Sequence, residues 1–223
     1  PRRAKLDVQG PKSRAIIENL AGHAIPELKY FHFVEVVLFG VPMTLSRTGY
    51  TGEWGYELYM DDGHALAIWD NLVKDGRIKP SGLGARDTLR LEMGYSLYGH
   101  ELNDENNPAS ATGGAFINLK KEFIGKASVE TELANPQKRL VGLKLAGKRA
   151  AREGDTVVLN GEEIGCLTSG SLAPSLDCAV AMAYVNVPHH ALDTEMAVLI
   201  RGKEYPATVV ALPFYQSGTA RGL

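Results

Sequence analysis

The chain has 223 residues, enough for one sizeable core or for a main domain with a smaller companion. Lys and Arg total 24 against 26 Asp and Glu, so the charge is near balance and no basic stripe is offered to nucleic acid. The apolar runs are too short to span a bilayer, Pro1-Arg2-Arg3 opens no signal peptide, and Cys166 and Cys178 lack metal-type spacing. A soluble, cytoplasmic protein with buried free thiols, no membrane partner and no metal is expected.

Leu6 to Gln9 reads as a strand that ends in a turn at Gly10-Pro11, and Lys12 to Leu20 as a helix with Ile16, Ile17 and Leu20 inward. A chain that starts on a core-like strand is expected to be shortened, with exposed apolar side chains near Leu6–Val8 or Tyr30–Phe39. Tyr30 to Phe39, rich in aromatic and β-branched residues, predicts a buried strand. Met43 to Thr48 and Trp54 to Met60 then predict a strand pair around Gly49 and Gly52. In the second of these, Trp54, Tyr56, Leu58 and Met60 share one face, while Gly55, Glu57 and Tyr59 share the other. Glu57 is either a solvent-facing glutamate or a carboxylate at the floor of a cavity, and alternation alone leaves both open.

Asp61 or Asp62 is expected to cap a helix to about Asp75, with Leu66, Trp69, Leu72 and Val73 buried and Gly76 as its stop. Lys79-Pro80-Ser81-Gly82 offers Ser81 as the cap of a central helix, Gly84-Ala85-Arg86-Asp87-Thr88-Leu89-Arg90-Leu91-Glu92-Met93. Arg86 and Arg90, four apart, share a stripe; such a pair meets either carboxylates or an anionic or polar ligand, and ion pairing is the commoner fate. Tyr95 to Leu102 follows, Asn103 to Ala111 reads as a polar loop, and a short helix begins after Lys126. Beyond Asn135-Pro136-Gln137 the texture changes to six short alternating runs, with Asn160-Gly161 and Arg201-Gly202 as hairpin turns. The expected architecture is therefore α+β: a mixed sheet-and-helix body over 1–136 and a small six-stranded all-β barrel or sandwich over 137–223.

Chemistry-bearing motifs are sparse. Gly82-x-Gly84 lacks the strand and third glycine of a dinucleotide loop, His100-Glu101 lacks a second histidine at zinc-protease spacing, and no Ser or Cys sits in a nucleophile elbow. The combination is more specific. Arg47-Thr48-Gly49-Tyr50-Thr51-Gly52-Glu53-x-Gly55-x-Glu57, Gly82-Leu83-Gly84-Ala85-Arg86-Asp87 through Leu89-Arg90-Leu91-Glu92, and Leu97-Tyr98-Gly99-His100-Glu101 closely resemble the aminomethyltransferase (T-protein) family of the glycine cleavage system. Gln9-Gly10-Pro11-Lys12, Phe123-Ile124-Gly125-Lys126 and Thr168-Ser169-Gly170 through Pro174-Ser175-Leu176 resemble further segments of that family, so the likeness covers nearly the whole chain.

The resemblance implies transfer of an aminomethyl-derived one-carbon unit from a lipoylated carrier (H-protein) to tetrahydrofolate, with release of ammonia. It implies that Glu57 is the carboxylate that accepts two hydrogen bonds from the pterin, with Arg86 in the folate site and Tyr50 and Tyr98 as aromatic walls. A pterin presents a ring nitrogen beside an exocyclic amino group, an edge that a carboxylate can accept in parallel. Arg90 and Asp87 read better as helix-positioning ion-pair partners. The family also has a segment ahead of the QGPK turn with an aspartate that orients the folate; Asp7 lies in the wrong motif to be that group, so the chain by itself is expected to be inactive. Two alternatives share the motifs: a non-catalytic folate-binding module, and the folate domain of a sarcosine- or dimethylglycine-oxidising enzyme.

Overall fold

A computed structural model describes residues 2–221. It divides into two compact units, the described parts of Pro1–Leu89 with Ser217–Leu223, and Arg90–Gln216. No helix among the described residues is long and apolar enough to cross a membrane.

The first unit is built on four antiparallel strands: β1 (Arg3–Gln9), β2 (Phe33–Leu38), β3 (Val41–Ser46) and β4 (Gly55–Asp61), in the order β1-β4-β3-β2. Helices α1 (Ser13–Ala21) and α2 (Ala65–Lys74) lie against one face of this sheet. Alternation in β3 and β4 sends Met43, Leu45, Tyr56, Leu58 and Met60 to that face, where they are buried with Ile17, Ile68 and Leu72. Each such side chain contributes about 1.5–3 kcal/mol when fully buried. The opposite face keeps the polar members of the same strands. There β1 and β4 pair with Asp7 across from Glu57 and Lys5 across from Tyr59, and Ser46 of β3 flanks Glu57 on the other side.

Four expectations need correction in this unit. The Tyr30–Phe39 stretch is an edge strand and only half buried: β2 pairs with β3 alone, and Phe33 is 68% exposed. Phe31 and Val37 are exposed beside it, whereas Val8 of β1 is buried. Helix α2 buries Ile68 and Leu72 and points Leu66 and Trp69 outward, Trp69 being 41% exposed. Two apolar stripes compete on this helix, and its docking onto the sheet selects the one that continues Ala65. Asp61 does cap, but it caps a single 3₁₀ turn, Asp62–His64, through the Gly63 amide. In α3 (Leu83–Glu92) the first helical carbonyl is that of Gly82, which accepts from the Ala85 and Arg86 amides, so the helix starts one residue beyond a Ser81 cap. The last turn of α3, Arg90-Leu91-Glu92, is buried and belongs to the second unit.

In the second unit the region read as a polar loop contains a short helix, α4 (Pro108–Thr112), capped by the Asn107 side chain on the Ala109 amide. It packs with α5 (Lys126–Ala134) and with the first barrel strand. Six strands, β5 (Lys138–Leu145), β6 (Thr156–Leu159), β7 (Glu162–Ala173), β8 (Cys178–Asn186), β9 (Glu195–Ile200) and β10 (Lys203–Val210), close a barrel in the order β10-β5-β8-β7-β6-β9. Asn160-Gly161 turns with φ of 53° and 83°, the left-handed pair that a type I′ hairpin requires. The interior of β8 is lined by Ala179, Ala181 and Ala183, small enough to fit a narrow barrel filled by Leu143, Val157, Leu167, Val198 and Val209. Cys178 is half-buried and Cys166 exposed, so the expectation of buried thiols fails for Cys166, whose strand turns it outward.

Candidate functional site

The polar face of the first unit's sheet gathers three of the four residues singled out from the sequence. Glu57 leaves β4 on that face with its side chain 13% exposed. Three donors hold its carboxylate. Lys5 Nζ donates to Oε1 at 2.5 Å, while the Thr48 hydroxyl and the Tyr59 hydroxyl, the latter at 3.0 Å, both donate to Oε2. Burial by itself would push the Glu57 carboxyl up. The hydrogen bonds from Lys5 and Thr48, the charge of Lys5 and the Tyr59 hydroxyl outweigh it and bring the group down to about 2.

Lys5 also sits 3.1 Å from Asp7, its neighbour two residues along the same face of β1. Asp7 in turn faces Arg86 Nη1 at 3.4 Å, and the Arg86 guanidinium lies over the Tyr50 ring at 4.9 Å from its centroid. A continuous chain of contacts thus runs Glu57–Lys5–Asp7–Arg86–Tyr50, from β4 across β1 to α3 and the turn after β3. Tyr98 belongs to the second unit, where its hydroxyl donates to Asp104 at 2.9 Å.

Lys5, Asp7, Thr48 and Tyr59 gather round Glu57, although none of them is among the expected binding residues. The place of Tyr59 beside Glu57 could be read from the sequence, where the two share a face at period two. Lys5 and Asp7 could not, because their place beside Glu57 depends on the pairing register of β1 with β4.

Several motif residues turn out to build the site's frame. Gln9 inserts its side chain between Gly49 and Gly55, where a Cβ on either glycine would collide with it, and donates to the Thr48 carbonyl at 3.1 Å. Arg47 is buried with its guanidinium on the Trp54 ring, 3.4 Å from the centroid, and donates to the Ala220 carbonyl at 2.9 Å. Glu53 accepts from the Thr219 hydroxyl at 2.5 Å. The glycines, Arg47 and Glu53 of this motif therefore fold the turn that carries Thr48 and Tyr50.

The second unit holds a separate buried network. Arg90 Nη1 donates to Glu101 Oε2 at 2.8 Å and Nη2 to Ser169 Oγ at 2.7 Å. Glu101 Oε1 accepts from Thr168 at 2.7 Å and Ser169 at 2.5 Å, and its carbonyl accepts from the Tyr184 hydroxyl at 2.8 Å. Burial, with the charge of Glu101, pushes Tyr184 up to about 12. Arg90 is thus the ion-pair residue the sequence suggested, with a partner eleven positions on.

Two family models, curated relatives and a solved structure match the chain. The family model described as the GCVT N-terminal domain matches residues 1–121, and that described as the glycine cleavage T-protein C-terminal barrel domain matches residues 138–216. An aminomethyltransferase of Symbiobacterium thermophilum is 43% identical over 96% of this chain and 60% of its own length. One from Chloroherpeton thalassium is 43% identical over 94% of this chain and 59% of its own. The crystal structure of glycine cleavage system aminomethyltransferase T from Bartonella henselae superposes with a TM-score of 0.87 at 34% identity, covering 96% of this chain and 60% of that one. The chain therefore spans about three fifths of the length of the relatives it matches, and it belongs to the glycine cleavage T-protein family.

Proposed function

We propose that this chain carries the pterin-recognising part of a tetrahydrofolate-dependent aminomethyltransferase. In that reaction the aminomethyl group arrives on the lipoyl arm of a carrier protein, its carbon passes to tetrahydrofolate, and ammonia leaves. The observation that carries the reading is the state of Glu57: a partly sheltered carboxylate, held ionised, on the open face of the sheet and linked to Arg86 and Tyr50. A carboxylate of this kind suits the two parallel N–H groups of a pterin edge, because charge-assisted pairs gain strength where water is partly excluded. Arg86, with its guanidinium already over one aromatic face, suits an anionic or carbonyl-bearing portion of the same ligand. Tyr98 is proposed as a further wall of the pocket on the strength of its motif alone.

We take residues 1–136 as the folate-binding body and 137–223 as the barrel domain, a division supported by the limits of the two family models at 121 and 138. The compartment is read as cytoplasmic, supported by two free thiols.

Glu57→Gln tests the assignment, since it keeps the size, removes the charge and replaces one acceptor by a donor. Calorimetric titration with tetrahydrofolate is expected to give roughly ten- to a hundredfold weaker binding, about 1.5–3 kcal/mol. Unchanged affinity would remove Glu57 from the site. Tetrahydrofolate binding without any transfer from a lipoylated carrier, measured on a protein of the relatives' full length that carries this chain, would reduce the reading to a folate-holding module.

A further inference from the structure

The two oxygens of Glu57 are filled unequally. Oε2 accepts from the Thr48 and Tyr59 hydroxyls, which use both of its lone-pair sites. Oε1 accepts from Lys5 Nζ at 2.5 Å and from no other donor among the described residues, so it has room for one further N–H.

Lys5 is the complementary half. Burial pulls its ammonium down, but hydrogen bonds to Glu57 and Asp7 carry it above its ordinary value, so it keeps all three N–H donors. One is spent on Glu57 Oε1 and one on Asp7 Oδ2, at 3.1 Å. The third has no partner among the described residues, and the side chain is 35% exposed on the open face of the sheet. Carboxylates from two paired strands, Asp7 on β1 and Glu57 on β4, thus fix the ammonium in place. A spare donor on Nζ then lies beside a spare acceptor site on Oε1, 2.5 Å away. That pair complements a lactam, a ring N–H next to a carbonyl, and does not complement an edge of two donors or of two acceptors. A pterin has such an edge, because its ring N–H is flanked by the exocyclic amino group on one side and by the ring carbonyl on the other.

We propose that Lys5 is a specificity-determining residue of the site: Glu57 Oε1 accepts the ring N–H of the pterin while the Lys5 ammonium donates to the carbonyl beside it. This rests on the reading of Glu57 as the pterin carboxylate and fixes which edge it meets, since Oε2 has no site left for a second N–H. A pterin with an amino group in place of the carbonyl loses both contacts. Its ring nitrogen carries no hydrogen and turns a lone pair toward Oε1, and its amino group turns a donor toward the ammonium.

Tetrahydrofolate and its 4-amino counterpart are titrated into wild type, Lys5→Met and Glu57→Gln, each in a protein of the relatives' full length that carries this chain. Wild type is expected to favour tetrahydrofolate by roughly ten- to a hundredfold. Lys5→Met keeps the length of the side chain and deletes the charge. It is expected to bind tetrahydrofolate about three- to tenfold more weakly, the share of one partly exposed charge-assisted contact, and the 4-amino compound no more weakly than wild type does. The preference shrinks accordingly, which a merely structural loss, equal for both pterins, would not produce. A preference that Lys5→Met leaves unchanged, while Glu57→Gln still weakens binding, refutes the role of Lys5 and keeps that of Glu57. If Glu57→Gln leaves tetrahydrofolate binding unchanged, the site reading falls and the pairing with it. A second measurement needs no variant: the side-chain NMR resonance of labelled Lys5 is expected to shift on saturation with tetrahydrofolate, and a stationary resonance overturns the contact even if Lys5→Met fails to fold.

Discussion

Glu57 and Asp7 lie directly across from one another, share one lysine, and are shifted in opposite directions. Burial pushes Asp7 up, and the neighbouring Glu57 charge adds to this against the pull of Lys5. Burial acts the same way on Glu57 but loses, because Lys5 stands nearer to it, at 2.5 Å against 3.1 Å, and two hydroxyls reinforce the ionised form. A carboxyl lowered from its ordinary 4.5 to about 2 binds fewer protons folded than unfolded between those values. Its contribution to stability is therefore complete above pH 4.5 and is lost as the pH falls toward about 2. Asp7 has the opposite sign, favouring the folded state as it takes up a proton, so it offsets part of that loss. A carboxyl NMR titration is expected to find Glu57 ionised well below pH 4.5, and Thr48→Val to move its midpoint upward by removing one donor. A wild-type midpoint near 4.5 would mean that the three donors do not hold the group in solution.

At the scale of elements, the last turn of α3 shows how a motif can be read rightly and incompletely. Two arginines four apart on one helix looked like a single polar stripe, yet Arg86 meets Asp7 and Tyr50 in the first unit while Arg90 is fully buried in the second. The partner of Arg90 was hidden because Glu101 reaches it only after a loop, and because Thr168 and Ser169 arrive from β7. Those contacts are tertiary and leave no periodic trace. The six barrel strands were legible because each hairpin carries its own local chemistry, as at Asn160-Gly161. The α2 stripe and the burial of β2 were not, because apolar residues on two faces satisfy the same pattern and only the docked sheet distinguishes them. With both partners at or below 1% side-chain exposure, deletion of one charge leaves the other unpaired in a low dielectric. Arg90→Met is expected to destabilise the second unit by about 3–5 kcal/mol in urea unfolding followed by circular dichroism. A loss under about 1 kcal/mol would mean that water reaches Glu101 and that the network is not closed.

At the scale of the whole chain, the first unit is made from both ends of the sequence. The backbone leaves it along α3, forms all of the second unit, and comes back at Ser217. The returning segment is held by specific bonds: Thr219 Oγ1 accepts from the Trp54 amide at 2.8 Å and donates to Glu53, and the Ala220 amide donates to the Gly52 carbonyl at 2.9 Å. The Ala220 carbonyl takes a hydrogen bond from Arg47, whose Nε and Nη1 have no hydrogen-bond partner among the described residues. Burial lowers the pKa of that guanidinium, and the faces of Trp54 and Tyr30 supply the rest of its surroundings. Removing residues 217 onward would leave a buried cation without its acceptor, and would uncover the turn that carries Thr48 and Tyr50. Loss of one hydrogen bond to a charged group costs about 1.5–3 kcal/mol, which corresponds to a ten- to hundredfold rise in local opening. Hydrogen exchange is therefore expected to quicken by that factor at the amides of β3 and β4 and to stay unchanged in β5 and β8. Equal acceleration in both units would mean that the tail stabilises the chain as one cooperative body; no acceleration in β3 and β4 would mean that the aromatic faces alone hold Arg47 in place.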